Sequence, residues 1–409
     1  RPLRRAIVWN DHRCHEESRK FAERFGAGAM YQKSGWQLGH GLNALQIAWL
    51  RANEPDVFRN ARYFLSVPDF ISMKLTGRPA VDISNAGISQ LTDIRKQAYD
   101  ADILAFAGIG EERLAPIVSS GTAIGPLTRE AADELGLHAG TLVTAGAHDQ
   151  YAALLGAGIT KPGEVLIGTG TAWVVTCLTD APAFDSGFSQ SVSAVPGSWG
   201  SLVSLSYGGV CKDWFRKSVM GGAGGRPLLA FDEIDKGAAN RTAAADGLMF
   251  FPYFGAGAYP LDARASKGSV LGLDLSHDAF HLARAVMEGV SFHTVWILEH
   301  FRQYFDVTRI SMSGGAAKSG IWPQITADIL GSPIRLPATR DLSGLGAAIL
   351  AGVGSGVFRD AGEGCARFGS AGETVVAPDG AAAAAYAGAF RVFKQRAREL
   401  GAMYANVPA

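Results

Sequence analysis

Ser313-Gly314-Gly315-Ala316-Ala317-Lys318-Ser319, followed by Trp322 and then Ala327-Asp328, is the stretch on which the fold turns. Before it, Thr308-Arg309-Ile310-Ser311-Met312 reads as a short buried strand. After it, Ile321, Ile325, Ile329 and Leu330 recur at helical spacing. Strand, glycine pair, hydroxyl and helix make a geometry that can hold a nucleotide. Glycine lets the backbone approach a flat ligand, and a helix start offers unpaired N–H groups. A plain tight turn is the competing reading, because glycine pairs arise by chance in a chain with 51 glycines among 409 residues.

Similar junctions lie upstream. Glu164 to Thr179 reads as a β-hairpin whose turn is Gly168-Thr169-Gly170-Thr171, a loop able to present N–H and O–H donors to phosphate oxygens. Ser206-Tyr207-Gly208-Gly209 precedes a helical run from Val210. Thr141-Leu142-Val143-Thr144-Ala145 predicts a strand running into Gly146-Ala147-His148-Asp149-Gln150, with a helix from Tyr151. Asp149 thus lies just past a strand end, where open α/β sheets bind ligands. A carboxylate there can accept a proton from a substrate hydroxyl, or it can cap the helix.

The rest of the chain gives the organisation. Residues 1–30 read as a strand at Ala6-Ile7-Val8-Trp9 and then a helix. Further helices are expected over 41–53 and between Asn60 and Gly77. Asp82 to Gly87 reads as a polar turn at a surface or cleft. A long helix is expected over about Asp278 to Phe305, capped by Ser276, and a terminal amphipathic helix after Ala381. Lys161-Pro162-Gly163 is the best boundary, giving domains over 1–159 and 160–409.

Composition narrows the partners. The 38 basic and 38 acidic residues balance and form no basic block, which argues against nucleic acid. No apolar run reaches the roughly 18 residues that a membrane span needs. Four scattered cysteines fit reduced, buried thiols in a cytoplasmic protein. There is no Walker A loop, since Gly315 to Ser319 lacks its spacing, and no G-x-S-x-G elbow. His277 and His281 stand four apart without the glutamate of a zinc motif, and are read as a solvated helix start. His12-Arg13-Cys14-His15 is read as surface.

Gly268-Ser269-Val270-Leu271-Gly272-Leu273, then seven residues, His281-Leu282, two residues and Ala285-Val286-Met287-Glu288 follow one long pattern. In it the chain resembles the FGGY family of carbohydrate kinases, with a partial second match at Trp49-Leu50 and Asn53. Trp9 to Arg13 also look familial. The resemblance implies an α/β fold of two ribonuclease-H-like domains, of the actin and hexokinase type, with sugar and ATP in the inter-domain cleft. It implies that Asp149 is the catalytic base and that His148, Asp149 and Gln150 meet the sugar. Gly168, Thr169, Gly170, Thr171 and Gly209 would then lie at the phosphates, and Gly315, Ala316 and Ser319 at the adenosine. Ala147 departs from the family's usual glycine. ATP with Mg²⁺, a small sugar and a possible homodimer follow from the same resemblance.

The family's early Asp-x-Gly-Thr loop, which binds phosphate and Mg²⁺, has no counterpart here, as though an amino-terminal segment were missing. The expected activity is ATP-dependent phosphorylation of a sugar hydroxyl, most like the ketose kinases that act on xylulose. The alternatives are a non-catalytic sugar- or nucleotide-binding protein, or a glycerol kinase.

Overall fold

The computed structural model describes all residues except 9–10, 40, 186, 222–227, 255–258, 262–266, 369–371 and 406–409. The chain forms two compact units that interleave in sequence. One comprises Arg1–Pro162, Leu178–Ser201 and Asp341–Gly369; the other comprises Gly163–Cys177, Leu202–Arg340 and Ser370–Ala409.

The first unit is mainly helical. One core cluster gathers Phe21 of helix His15–Phe25, Ala44, Leu45 and Ile47 of helix Asn43–Asn53, and Ile103 and Leu104 of helix Ala101–Ala107. Phe21 stacks its edge on Phe106 at 5.0 Å, a geometry that suits the ring quadrupoles. Helix Val67–Thr76 follows a Ser66–Asp69 capping box. Strands here are short. Val81–Asp82 pairs with Ile117–Val118, and Leu142–Thr144 pairs with Ala123–Pro126.

Two expectations fail in this unit. Ala6 to Val8 form no strand, because no described strand lies beside them to take their hydrogen bonds, and Val8 is exposed; Trp9 and Asn10 lie outside the described residues. Asp82 to Gly87 is not a surface turn. It is the capped start of a buried helix, Ile83–Ile88, whose first N–H groups, from Ser84 and Asn85, bond the Asp82 carboxylate. A short carboxylate just before an apolar residue is the usual helix start, and it outweighs the local polarity.

Helix Asp149–Gly156 packs against helix Leu342–Gly354 of the same unit at backbone distance. A Cβ on Gly156 would lie 2.0 Å from the Leu342 carbonyl oxygen, and one on Gly346 would lie 1.8 Å from that of Ala152. Any side chain at either position would force the helices apart.

The second unit is built on a sheet. Its strands lie in the order Thr374–Val376, Ile334–Leu336, Arg309–Gly314, Glu164–Thr169, Trp173–Thr179 and Trp199–Leu205. The 309–314 strand runs parallel to 164–169 and to 334–336, while 173–179 returns antiparallel. The hairpin turn is therefore Gly170 to Ala172, and Gly168 and Thr169 belong to the strand, two residues further than the sequence suggested.

Helix Ala279–Phe301 is the buried axis of this unit. Its cap is Asp278, not Ser276: the Asp278 carboxylate accepts the N–H groups of Phe280 and His281, each at 3.0 Å. Ser276 instead donates to Asp274 at 2.6 Å. Nor is the histidine pair solvated. The His277 ring is 1% exposed and takes the Asp274 N–H at 3.0 Å. Inside the helix, Arg284 Nε donates to Glu288 Oε1 at 2.8 Å, and Tyr386 Oη and the Ala244 N–H reach the same oxygen at 2.6 and 3.1 Å.

No described helix is long and apolar enough to cross a membrane.

Candidate functional site

The first unit supplies a carboxylate on a rigid mount. Asp149 is the first residue of its helix, and the cap position falls to His148, which makes no side-chain capping bond. The Asp149 carboxylate is thus not spent on capping, and its side chain is 69% exposed. The backbone beneath it is fixed on both sides. The His148 N–H donates to Ser84 Oγ at 2.8 Å, and Ser84 Oγ donates to Asp82. The Asp149 carbonyl accepts from Ser343 Oγ at 3.1 Å. Gln150 is half-buried beside it.

Around this point sits a group that the sequence reading did not single out. Trp36 lies edge-on to His148 at 6.3 Å, and the Tyr151 ring lies tilted to it at 5.4 Å. Burial pushes the His148 imidazole below its ordinary pKa, against the opposing pull of Asp149 and Asp82. Trp36 stands in an irregular segment with no pattern to mark it. Asp82-x-Ser84 could have been found as a helix-capping motif.

The second unit brings its three glycine junctions together. The Gly315 N–H donates to the Thr169 carbonyl at 2.8 Å, and the Ala316 N–H donates to Thr169 Oγ1 at 3.1 Å. The Thr169 hydroxyl donates in turn to the Ser313 carbonyl at 2.6 Å. From the other side, the Gly209 N–H reaches the Gly170 carbonyl at 3.2 Å and Val210 N–H the Thr171 carbonyl at 3.1 Å. The closeness demands glycine. A Cβ on Gly209 would lie 2.4 Å from the Gly170 oxygen, and Gly314, at φ 103°, admits no ordinary side chain. Gly168, Thr169, Gly170, Thr171, Gly209, Gly315 and Ala316 are therefore one constellation, with Gly170, Thr171 and Gly315 exposed.

Ser319 is tied up locally, its Oγ accepting the Trp322 N–H at 3.1 Å, with its own proton left to donate. The helix Trp322–Leu330 does not follow the glycines directly; a single 3₁₀ turn, Ala316–Lys318, intervenes. Lys212, another residue missed in the sequence, is buried and paired with Asp235.

A backbone lined with glycines and hydroxyls suits phosphates and a flat base. Among the described residues no cluster of three or more His, Cys, Asp or Glu side chains is placed to hold a metal ion. A divalent ion carried on phosphate oxygens would need no such cluster from the protein.

Comparison with known proteins gives this arrangement its context. Residues 1–156 match the model for the N-terminal domain of the FGGY family of carbohydrate kinases, and residues 164–355 match that for its C-terminal domain. The chain belongs to the FGGY family of carbohydrate kinases. It is 29% identical over 366 residues to a xylulose kinase of Bacillus subtilis, covering 88% of this chain and 72% of that protein. It is 30% identical to an autoinducer-2 kinase of Yersinia enterocolitica, over 85% of this chain and 68% of the relative. The crystal structure of a xylulose kinase from Rhodospirillum rubrum superposes with a TM-score of 0.89 at 28% identity, covering 99% of this chain and 81% of that one. The fold is therefore the α/β, two-domain, actin/hexokinase type. As an FGGY kinase, the protein is a phosphotransferase with an alcohol group as acceptor.

Proposed function

We propose that this kinase transfers the terminal phosphoryl group of ATP, carried with Mg²⁺, to a hydroxyl of a ketose such as xylulose. Asp149 is the general base, and Gln150 beside it meets a neighbouring sugar hydroxyl. Gly168 to Thr171 and Gly209 cradle the phosphates, and Gly315, Ala316 and Ser319 line the adenosine. The observation that carries the reading is the exposed Asp149 carboxylate, not spent on capping, on a helix start whose cap belongs to His148. Phosphoryl transfer asks mainly for positioning and charge stabilisation, so one base and a phosphate cradle are the parts a protein must supply. In domain terms, residues 1–159 would form the amino-terminal half and 160–409 the nucleotide-binding half.

The ketose is chosen because a xylulose kinase stands among the relatives in both sequence and structure. Those relatives are kinases, which disfavours a purely binding protein. A coupled assay of ADP release tests the assignment with pentuloses, hexuloses, pentitols, glycerol and autoinducer-2 as acceptors. Turnover on xylulose or a related ketulose is expected; turnover on autoinducer-2 alone would overturn the ketose reading. Four buried cysteines suit the cytoplasm. The family resemblance leads us to expect a homodimer, which light scattering checks.

The adenosine assignment has its own test. Ala316 is 6% exposed and its N–H is held by Thr169, so a large side chain there must swing into the ligand space or break the turn. Ala316→Trp is expected to weaken ATP binding at least about ten-fold in calorimetry, the scale of one lost well-packed contact, while sugar binding survives. Unchanged ATP affinity would remove the assignment.

A further inference from the structure

The neighbour of the base is built more rigidly than the base itself. The His148 backbone is tied to Ser84, and its ring packs against both Trp36 and Tyr151. Its Nδ1 is buried with no hydrogen-bond partner. Its Nε2 faces Asp149 Oδ1 at 3.4 Å. A carboxylate can only accept, so the nitrogen that faces it carries the proton, and the buried Nδ1 keeps the lone pair. The imidazole thus presents one N–H to one carboxylate that is two-thirds exposed. A contact of 3.4 Å is long for a hydrogen bond, but catalytic bonds commonly tighten only when substrate is bound.

We propose that His148 is a positioning residue: a neutral imidazole whose Nε2–H holds the Asp149 carboxylate in the orientation from which it takes the acceptor proton. This rests on the reading of Asp149 as the base. It differs from a sugar contact, because the imidazole acts through the carboxylate. The ionisable groups that face the ring are few. Asp149 comes from its own helix, Asp82 from the start of the 83–88 helix, and Tyr151 from one turn on, its hydroxyl spent on the Gly200 carbonyl at 3.0 Å. Burial keeps the ring neutral, so it donates without competing for the proton.

His148→Phe keeps the packing with Trp36 and Tyr151 and removes the donor; His148→Gln restores a donor of similar reach. On the full chain, the Phe variant is expected to lose about ten-fold in kcat with sugar KM changed less than about three-fold. The Gln variant should recover most of kcat, since it restores a donor to the carboxylate. A raised KM at unchanged kcat would show that the ring binds sugar instead. Equal losses of kcat in both variants would show packing alone. Should the Phe variant not fold, as judged by its melting, His148→Leu carries the same tests. Asp149→Asn measured beside them separates the two ideas: near-normal turnover there removes the base itself, whatever His148 does.

Discussion

Asp149→Asn is expected to lower turnover at least about 100-fold, the usual scale for losing a general base, while the protein melts within a few degrees of its parent. The acceptor hydroxyl is a poor nucleophile until its proton leaves, and the amide cannot take that proton. Stability should hardly change, because the carboxylate makes no capping bond. His148 occupies the cap position, and Asp149 adds only the small favourable charge of a first-turn acid, about 0.3–1 kcal/mol. Steady-state kinetics with saturating sugar and ATP, run beside thermal unfolding, check both halves. Near-normal turnover would remove the catalytic role, and a lost fold would show that the residue is structural.

Glu288→Ala should cost about 3–5 kcal/mol in stability, the penalty for stranding a buried charge. Arg284 is only 8% exposed, and Glu288 is its carboxylate partner. Removing that carboxylate would also leave the Tyr386 hydroxyl and the Ala244 N–H without their acceptor. Burial pushes the Glu288 carboxyl up, to about 7, so the comparison belongs at pH 8, where the pair is charged. Denaturant unfolding reads the loss. Replacing both partners, Arg284→Met with Glu288→Leu, should lose much less, because no charge is then left without a partner. If the double variant is as unstable as the single one, packing rather than the stranded charge is responsible.

The parts of the site that were legible in the sequence are the local ones. Gly314-Gly315, Gly170-Thr171 and Gly208-Gly209 announced themselves because backbone approach needs residues without side chains, and that requirement is written at the position itself. The junction at Asp149 was legible too, but its local pattern left a helix cap and a base both open, and the base role came only with the family resemblance. Boundaries were less legible. The hairpin turn moved by two residues because strand pairing, not the glycine, decides where a ladder ends. The cap of the 279–301 helix moved from Ser276 to Asp278 because both are good caps and only the chain path selects one. The burial of His277, the place of Trp36 beside His148, and the Asp82–Ser84 tether depend on segments that meet only in the folded chain. No local pattern could carry them.

The glycine-mediated contact of the 149–156 helix with the 342–354 helix fixes an order of events at the ribosome. The segment that bears Asp149 leaves the tunnel long before its partner exists, since on the order of 190 residues separate the two. At synthesis rates of roughly 5–20 residues per second, that helix waits about ten to forty seconds with Gly156 and Ala152 uncovered. A nascent chain halted before residue 342 therefore carries the Asp149 helix without the neighbour that holds it in place. The packing of that helix is completed only late in translation.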